Sequence, residues 1–599
     1  MYISRIVIRN FRSFEILDVS TEPGVTCIVG ENNTGKTNLV HAIRLAIDAN
    51  LPGSFRVLLE NDIHSGIDIS APQQVIIALE LKGYSEHDNE RALAGAWEVD
   101  DDVARIMYRF RPNQKIRDAY EGDEIEPENL TLDDYDWELR AGGDVDPTEL
   151  AWHENVGTEV RFSYLQAFQV VTLDALRDVT QDLKYGRQSP LGKLLNASEI
   201  DVDEREEIVE ILRDANQNIS EKPSLQSLGA SIQGAFRATA GEAFQMNLKL
   251  GMSDPSFSAI SRSLTVLLSN DAIQDFEPAR NGLGLNNILY ISMLVEYFER
   301  RVAAAKAAGQ LLIVEEPEAH LHPQLQRTLY DVLKGKPFQT IVTTHSTFVT
   351  SKAPIKSLVV LTNKGGVATG SNVPAELLSP AEIADLERYL EATRSALFFA
   401  RKVLLVEGPA ELYLIPALAK EVLDIDFDQL GISVIPIFGV HFAAYAKLFG
   451  PDRIEKKCAI VTDGDLRPSD AALGEDEDEQ WDVPDFDELE NDFVKVFRCP
   501  TTFERAITKR GLLPMLSSAC ADCNVPVISN ELTEAFDAIE EGMEDDDRQK
   551  LLRKMRTKVL RTAKRIGKAR FAQVAATHVD EATSIPAYIR AAINWLIAE

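Results

Sequence analysis

The sequence predicts an α/β protein with two α/β units in series, and three observations lead to that prediction. The apolar strand at 25–29 runs into the glycine-rich motif GENNTGKT at 30–37, and an amphipathic helix follows. Further apolar strands at 310–314 and 339–344 lead into acids and into a histidine. From residue 403 onward, strands alternate with helical patterns, which predicts a parallel sheet.

Length and composition limit the number of domains and the class of protein. A chain of 599 residues with 45% hydrophobic residues suggests two to four domains with real cores. It has no run of about eighteen apolar residues, so we expect no membrane span. Five cysteines in a chain this long do not indicate a disulfide framework, which favours a cytoplasmic location.

The charge is strongly negative but uneven. A net charge of −33 argues against a protein that coats nucleic acid over its whole surface. An acidic block at 475–492 predicts a solvated loop, within an acidic stretch of about 468–492. The segment 548–570 is rich in Lys and Arg, and one basic lane is enough for an acidic protein to bind DNA.

The motif at 30–37 is typical of nucleotide binding. Backbone N–H groups of such a loop hold phosphate oxygens, Lys36 reaches the β- and γ-phosphates, and the Thr37 hydroxyl binds Mg²⁺. The predicted ATP-binding residues run from 32 to 38: Asn32, Asn33, Thr34, Gly35, Lys36, Thr37 and Asn38.

Acids and a histidine follow the later strands of the first unit. Glu315 is predicted to hold Mg²⁺ through water, and Glu316 to polarise the attacking water. His345 comes directly after the strand at 339–344 and is suited to contact a γ-phosphate. Upstream, GLGLNN at 282–287 opens a helix, and a glycine-rich helix N-terminus favours anions.

This set, in this order, resembles the ABC-type ATPase head of the SMC-like and RecF-like group. The resemblance implies that two heads enclose two nucleotides in a homodimer. Lys36, Thr37, Glu315, Glu316 and His345 would then act in their own subunit, and Gly284, Asn286 and Asn287 in the partner's site. The sequence departs from the family pattern at 282–287, where GLGLNN replaces Leu-Ser-Gly-Gly.

The segment of about 175–255 shows helical periodicity in two stretches, around 208–219 and 225–236. Its simplest interpretation is a set of amphipathic helices packed on a core of their own. No sustained heptad repeat is present, which excludes long coiled-coil arms. A helical insertion used for dimerisation or higher homo-oligomerisation is the functional alternative.

The second unit is predicted to carry acids at the ends of its strands. Glu407 follows the strand at 403–406, and Asp463 and Asp465 follow the strand at 458–461. In a parallel sheet these carboxylates converge, and they repel one another unless divalent cations lie between them. The pattern resembles the Toprim fold of topoisomerases, primases and certain nucleases, whose signature is a strand-end Glu followed by Asp-x-Asp.

Together, the motifs VEGPAE at 406–411, DGD at 463–465, TTFE at 501–504 and GKARFA at 567–572 resemble the OLD (overcoming lysogenization defect) family over essentially the whole chain. That family comprises ATP-dependent endonucleases linked to phage defence. By this resemblance Glu411 and Thr502 complete a metal shell with Glu407, Asp463, Asp465 and Glu504. Lys568 would assist the scissile phosphate or the leaving group.

The resemblance implies further properties of the chain. The cofactors are ATP and Mg²⁺, with Mn²⁺ or Ca²⁺ able to substitute in the second unit. The partners are DNA and, in some members, a helicase. We place the ATPase domain at 1–375, a linking helix at 376–400 and the Toprim nuclease domain at 401–599, with a helical part at about 505–565.

Two other functions compete with a metal-dependent endonuclease. A type II topoisomerase also combines Toprim with ATP, but it needs a tyrosine nucleophile on a separate DNA-binding domain. The chain ends about 30 residues after Lys568, too few for such a domain. The other candidate is a RecF-like ATP-dependent DNA clamp or repair factor in which the Toprim acids are structural.

Overall fold

A computed structural model shows three sheets and the helices that flank them. It describes residues 1–123, 127–174, 189–198, 200–241, 246–257, 259–260, 264–269, 273–303, 308–390, 394–438, 442–466 and 488–598. Among these residues, no helix has both the length and the apolarity needed to cross a bilayer.

The strands are numbered in chain order. Those of the first unit are β1 Tyr2–Phe11, β2 Phe14–Ser20, β3 Val25–Val29, β4 Val75–Lys82, β5 Glu98–Asp100, β6 Val103–Pro112, β7 Tyr135–Ala141, β8 Thr158–Glu159, β9 Phe168–Leu173, β10 Gly309–Glu315, β11 Gln339–Thr344, β12 Leu358–Lys364 and β13 Val367–Asn372. Those of the second unit are β14 Lys402–Val406, β15 Ile432–Pro436, β16 Cys458–Thr462 and β17 Val494–Arg498.

The helices are numbered in the same way. Those before residue 400 are α1 Lys36–Ile47, α2 Asp88–Ala94, α3 Gln114–Asp123, α4 Phe162–Leu165, α5 Pro190–Ala197, α6 Val202–Ser220, α7 Pro223–Ala240, α8 Leu283–Ala303, α9 Pro323–Lys334, α10 Thr347–Thr350 and α11 Pro380–Tyr389. Those after it are α12 Pro409–Leu423, α13 Phe442–Ala446, α14 Phe503–Ala506, α15 Leu513–Asp522, α16 Pro526–Glu540, α17 Asp545–Ile566, α18 Lys568–Ala576 and α19 Ala587–Ile597.

The first unit contains two sheets. One is antiparallel, with order β2-β1-β4-β6-β7-β8 and β5 beside β6. The other has order β13-β12-β3-β11-β10-β9, and its strands are parallel except for β13. Because β3, β10 and β11 run in the same direction, the phosphate loop, Glu315 and His345 meet at one edge of the sheet.

The second unit is built on a parallel sheet of order β15-β14-β16-β17, as the sequence predicts. Strands β14 and β16 are neighbours, and all residues of β16 are buried. This order places Glu407 and Asp463, which follow the two strands, side by side. Helices α12 and α14 to α19 enclose one apolar core with this sheet.

The helical insertion differs from the simplest expectation. Helices α6 and α7 form as predicted, but no residue of α6 is buried and α7 buries Gly229 alone. Ile211 is 61% exposed and Leu228 is 52% exposed. The prediction of a self-contained core is therefore wrong for the described part of this segment, since the amphipathic faces pack too little against each other.

Other predicted segments fall in these places. Helix α11 lies within the stretch assigned to the linking helix, and α15, α16 and α17 occupy the predicted helical part of the second unit. Most of the acidic loop predicted at about 468–492 lies outside the described residues, which resume at residue 488.

Candidate active sites

The phosphate loop joins β3 to α1 and encloses its lysine. Lys36 Nζ donates to the Gly30 carbonyl at 3.0 Å and to the Glu31 carbonyl at 2.7 Å. Burial lowers the pKa of Lys36 to about 8, against the opposing charges of Glu316, Glu318 and Glu31. A buried ammonium held by two carbonyls is pre-positioned, and an anion beside it would raise its pKa again.

The magnesium pair predicted for this site is assembled. Thr37 Oγ1 donates to Glu315 Oε2 at 3.0 Å, which joins the first turn of α1 to the end of β10. Burial raises the pKa of Glu315, and the Thr37 hydrogen bond partly offsets that rise. A hydroxyl and a carboxylate at this separation can both ligate one hard cation.

Glu316 and His345 face each other at the ends of β10 and β11. His345 Nε2 lies 3.5 Å from Glu316 Oε1. Burial lowers the pKa of His345, and the charge of Lys36 lowers it further. Glu316 has a φ of 44°, an uncommon conformation for a residue with a side chain. The geometry places an acid and an imidazole at the strand ends that flank the lysine.

Sequence reasoning missed Glu318, which organises this end of the sheet. Its Oε1 accepts hydrogen bonds from Thr344 Oγ1 at 2.7 Å, from His345 N at 2.7 Å and from Ser346 N at 3.1 Å. Burial raises its pKa. The signal in the sequence was a third acid in the run EEPE, one residue beyond the proline. Glu318 therefore fixes the turn that carries His345.

The cavity beside the phosphate loop was also not predicted. It has a volume of about 620 Å³, and its lining includes Arg12, Ser13 and Asn38. Asn38 Nδ2 donates to Ser13 Oγ at 2.9 Å, and an Arg12 nitrogen donates to Asn38 Oδ1 at 3.3 Å. The β1–β2 turn thus contacts α1 directly. Its sequence, FRSF at 11–14, combines one cation with two apolar anchors.

The other predicted loop residues are distributed around the lysine. Asn32 and Asn33 are exposed, and Asn33 has a φ of 64°. Thr34 is buried, and its Oγ1 donates to the Glu31 carbonyl at 2.9 Å. Gly35 has a φ of 95°, which favours glycine over other residues. These placements leave the exposed side of the loop to Asn32, Asn33 and Thr37.

The glycine-rich start of α8 packs in part against its own chain. A Cβ on Gly284 would lie 2.3 Å from the His320 carbonyl oxygen, so only glycine fits there. Asn286 is fully buried, and its Nδ2 donates to the Pro278 carbonyl at 2.8 Å. Asn287 is buried as well. These asparagines anchor the loop in cis, and their contact with a partner's nucleotide stays a prediction.

The second site begins with Glu407, directly after β14. Its Oε2 accepts hydrogen bonds from Asp463 N at 3.0 Å and from Thr462 Oγ1 at 3.3 Å. The carboxylate of one strand end therefore contacts the backbone of the neighbouring strand end.

Three more predicted acids lie around this point. Burial, followed by the charges of Glu407, Glu411 and Glu504, raises the pKa of Asp463 to about 8. Burial, followed by the charges of Glu504 and Glu407, raises the pKa of Glu411 to about 7. Carboxyl groups affect each other in this way when they converge in a poorly solvated place. We call Glu407, Glu411, Asp463 and Glu504 the carboxylate cluster.

Glu504 connects the cluster to its one predicted cation. Lys568 Nζ lies 2.9 Å from Glu504 Oε1. Burial alone would lower the pKa of Lys568, but the charge and hydrogen bond of Glu504 outweigh it and raise that pKa. Glu504 Oε2 and Thr502 Oγ1 are buried without a hydrogen-bond partner among the described residues. Buried oxygens of this kind need a ligand to compensate their desolvation.

Residues of β17 and the loop after it hold the DGD loop, and sequence reasoning did not single them out. Arg498 Nε donates to the Asp463 carbonyl at 3.0 Å. Cys499 Sγ lies 3.5 Å from Asp463 Oδ1. A Cβ on Gly464 would lie 2.3 Å from the Pro500 carbonyl oxygen, so the middle residue of the motif must be glycine.

Asp465 differs from the four acids of the cluster. It is exposed and has a φ of 52°, which turns the chain sharply after Gly464. Among the described residues, no three His, Cys, Asp or Glu side chains have the arrangement of a ready metal-binding group. The acids thus converge without a completed ligand shell, and the role of Asp465 as a ligand stays a prediction.

The residues present nevertheless fit divalent cations. The cluster offers carboxylate oxygens and one hydroxyl, which are the donors that hard cations prefer. The raised pKa of Asp463 shows that Lys568 alone does not offset the charge of the cluster, and the buried oxygens of Glu504 and Thr502 offer further donors. A cation would remove the repulsion that now favours protonation.

A direct contact joins the two units. Arg401, directly before β14, donates from Nε to Glu31 Oε2 in the phosphate loop at 3.0 Å. Buried Lys456 donates to the Phe398 carbonyl at 2.7 Å. Burial lowers the pKa of Lys456, and the charge of Glu31 offsets part of that lowering. The phosphate loop therefore lies against the end of β14 opposite to Glu407.

Comparison with known families gives two matches. The family model described as an AAA ATPase domain matches residues 1–130 and 161–350, more than half of the chain. The model described as the TOPRIM domain of overcoming lysogenization defect protein-like proteins matches residues 398–465. The first match contains the phosphate loop, Glu315 and His345, and the second contains Glu407 and Asp463.

Individual relatives extend over most of the chain. Endonuclease GajA of Bacillus cereus (strain VD045) is 23% identical over 492 residues, which are 79% of this chain and 77% of that protein. The OLD nuclease of Thermus scotoductus is 26% identical over 500 residues, which are 79% of this chain and 84% of that protein.

A solved structure of the C-terminal region of the Xanthomonas campestris pv. campestris OLD protein is 31% identical, with a TM-score of 0.25. The match covers 34% of this chain and 94% of that chain. The two family models cover the phosphate loop of the first site and the ends of β14 and β16 in the second. The chain therefore belongs to the OLD family, with an AAA ATPase domain followed by the Toprim domain of that family.

Proposed function

We propose that this protein binds and hydrolyses ATP and cleaves DNA as a divalent-metal-dependent endonuclease. The observation that carries the nuclease half is the convergence of four acids from three chain segments beside one lysine. Its support from similarity is that two relatives over most of the chain are named nucleases.

Each residue of the carboxylate cluster has a role in this proposal. Glu407, Asp463 and Glu504, with Glu411, Thr502 and Asp465, would hold two Mg²⁺ ions, which Mn²⁺ or Ca²⁺ can replace. Bound ions of this kind activate water and stabilise the leaving oxygen in an in-line displacement. Lys568, kept charged by Glu504, would place a positive charge beside the scissile phosphate.

In the ATPase site, Lys36 and the loop N–H groups would bind the phosphates. Thr37 and Glu315 would bind the Mg²⁺ ion. Glu316 would orient water, and His345 would contact the γ-phosphate. The cavity beside Asn38 and Arg12 is adjacent to the start of α1, and we assign it to the nucleoside part of ATP.

We propose homo-oligomerisation through two surfaces. One is the head face that carries Gly284, where the neighbouring Leu283 and Leu285 are 53% and 54% exposed. The other is the apolar face of α6 and α7, which the described part of the chain does not bury. Burying such a face against a second copy would contribute about 25 cal/mol of favourable free energy per Å² of apolar surface removed from water. Phage defence and a helicase partner follow from the family resemblance alone.

The test is cleavage of supercoiled plasmid in Mg²⁺ or Mn²⁺, with and without ATP. Wild type should nick, Asp463→Ala should not nick, and Lys36→Ala should fail to hydrolyse ATP. A RecF-like clamp, the second candidate, would leave the plasmid intact and retain it in an ATP-dependent complex. A covalent protein–DNA adduct would instead indicate topoisomerase chemistry.

A further inference from the structure

The longest helix of the second unit, α17, carries a row of cations that the carboxylate cluster does not use. Lys554, Arg561, Lys564 and Arg565 are all exposed. At 100° per residue these four positions fall within about 100° of the helix circumference. We call this row the basic lane.

The opposite face of α17 is fixed to the active-site framework. Its buried residues are Leu552, Met555, Arg556, Val559, Thr562 and Ala563. They pack in the same core as the sheet, and α17 contacts α14, the short helix that carries Glu504. The basic lane is therefore held rigidly relative to the carboxylate cluster.

The pairing of charges changes along the helix. Near its start, Arg548 lies 2.9 Å from Asp545, and Lys550 lies 3.1 Å from Asp547. The four cations of the basic lane form no ion pair with any described residue of the chain. Lys558, between Lys554 and Arg561, also pairs, with Glu531. The last three cations of the lane follow it and lead towards Lys568.

Helix capping does not explain this row. Cations in a last turn favour the negative end of the helix dipole, which accounts for Lys564 and Arg565. It does not account for Arg561 or Lys554, which lie outside the last turn. In a chain with a net charge of −33, a row of cations that pair with no described residue, on a helix that packs against the helix of Glu504, indicates an anionic partner.

We infer that the basic lane binds the phosphate backbone of double-stranded DNA on one side of the scissile bond, an inference that rests on the proposed nuclease function. From Lys554 to Arg565 the lane spans about 17 Å at 1.5 Å per residue. That length matches about five phosphate steps of 3.4 Å along one strand. After it, Gly567, with a φ of 104°, turns the chain so that Lys568 faces Glu504.

The amino-acid composition of the basic lane favours double-stranded over single-stranded DNA. Proteins that bind single strands without sequence preference stack the bases on aromatic side chains. Helix α17 contains no aromatic residue, and Phe571 of α18 is buried. Cations that contact phosphates position the DNA but carry no sequence information. The lane should therefore bind duplex DNA whatever its sequence.

The test compares two charge-matched double variants of the full chain. Arg561→Gln with Arg565→Gln removes two lane cations, and Arg548→Gln with Lys550→Gln removes two paired cations from the same helix. Binding of a 30-base-pair duplex is followed by fluorescence anisotropy in EDTA, over a range of salt concentrations. Two lost phosphate contacts should reduce the slope of log K against log salt by about 1.8 for the lane variant. The control variant should keep the wild-type slope.

The basal ATP hydrolysis rate and melting temperature of the lane variant should equal those of wild type, which shows that it is folded. Equal slopes for the lane variant and wild type would overturn the inference, as would tighter wild-type binding to a 30-nucleotide single strand. The parallel plasmid assay separates the two proposals. A wild-type protein that binds duplex through the lane but never nicks would refute the nuclease function and leave the lane intact.

Discussion

The two sites differ in how their charges are compensated. In the ATPase site, Glu318 accepts three hydrogen bonds, Glu315 accepts one from Thr37, and Lys36 is held by two carbonyls. In the carboxylate cluster, burial and mutual repulsion raise the pKa values of Asp463 and Glu411.

This difference shows which site depends more on its ligand. Hydrogen bonds within the chain already fix the ATPase site before a nucleotide binds. The sheet and the helices α12 and α14 hold the carboxylate cluster, but its charges need protons or cations, since unpaired buried charges are costly. Variants should therefore act on the first site through geometry and on the second through charge.

The largest expected effect is on Glu504. Glu504→Gln keeps the shape of the side chain but removes one charge from the cluster. Metal ions supply several kcal/mol of charge stabilisation, and each 1.36 kcal/mol is tenfold in rate. We expect plasmid nicking to fall by about a thousandfold with unchanged ATP hydrolysis.

The matched control is Glu534→Gln, which removes an exposed charge from α16. It should nick at the wild-type rate. Unimpaired nicking by Glu504→Gln would show that the cluster is not the hydrolytic centre.

The next effect concerns Glu318 and the geometry of the ATPase site. Glu318→Ala removes three hydrogen bonds, each worth about 1 kcal/mol, and leaves the His345 N–H unpaired, while Ser346 N keeps its bond to Thr344 Oγ1. We expect a loss of about 3 kcal/mol in the free energy of unfolding, measured with denaturant, and a fall of at least about tenfold in ATP hydrolysis. Glu318→Gln retains an acceptor and should recover most of both. Equal losses in the two variants would mean that charge, not hydrogen bonding, is what Glu318 supplies.

A pH dependence follows from Asp463. Its pKa is raised from 3.8 to about 8, so its contribution to stability is fully present below pH 3.8 and is lost as the pH rises to about 8. In EDTA, the melting temperature of wild type should fall more between pH 5 and pH 8 than that of Asp463→Asn. A change of 1 kcal/mol corresponds to about 2 to 4 °C for a unit of this size.

Mg²⁺ should raise the wild-type melting temperature more at pH 8 than at pH 5, because protons compete with the metal. Asp452→Asn, an exposed turn residue with a φ of 59°, is the control that removes one charge without strain. Identical pH profiles for wild type and Asp463→Asn would contradict the repulsion inferred for the cluster.

The smallest expected effect is at the contact between the two regions. Arg401 is 71% exposed, so its pair with Glu31 should be worth less than about 1 kcal/mol. A double-mutant cycle with Glu31→Gln and Arg401→Gln, read as ATP affinity, should show a coupling below about fivefold. A coupling of several kcal/mol would mean that one rigid network joins the two sites. The two sites could then not be treated as independent in how their charges are compensated.

Much of the fold and of the two sites could be predicted from sequence, because both sites lie at the ends of buried strands. The glycine-rich loop, Glu315, His345, Glu407 and Asp463 each follow an apolar run, and sheet topology then brings them together. Glu318, Arg498 and Cys499 were missed because their partners are distant backbone groups and side chains, which no local pattern reveals.

The helical insertion could be predicted as helices but not as a packed unit. Periodicity shows which face of α6 is apolar, and it does not show what covers that face. The same limit applies to Asn286: its ligand contact stays a prediction, and no sequence pattern indicates its buried hydrogen bond to Pro278. Sequence identifies chemical groups well, but the direction of a side chain depends on tertiary packing.

The most direct test of the central claim is Mn²⁺ binding to the nucleotide-free protein at pH 8, followed by electron paramagnetic resonance. Without nucleotide, Thr37 and Glu315 lack the phosphates that would complete their ion's shell, so bound Mn²⁺ should report the carboxylate cluster. We predict saturable binding to wild type and to Asp452→Asn that is lost in Asp463→Asn. Equal Mn²⁺ binding by wild type and Asp463→Asn would contradict the account.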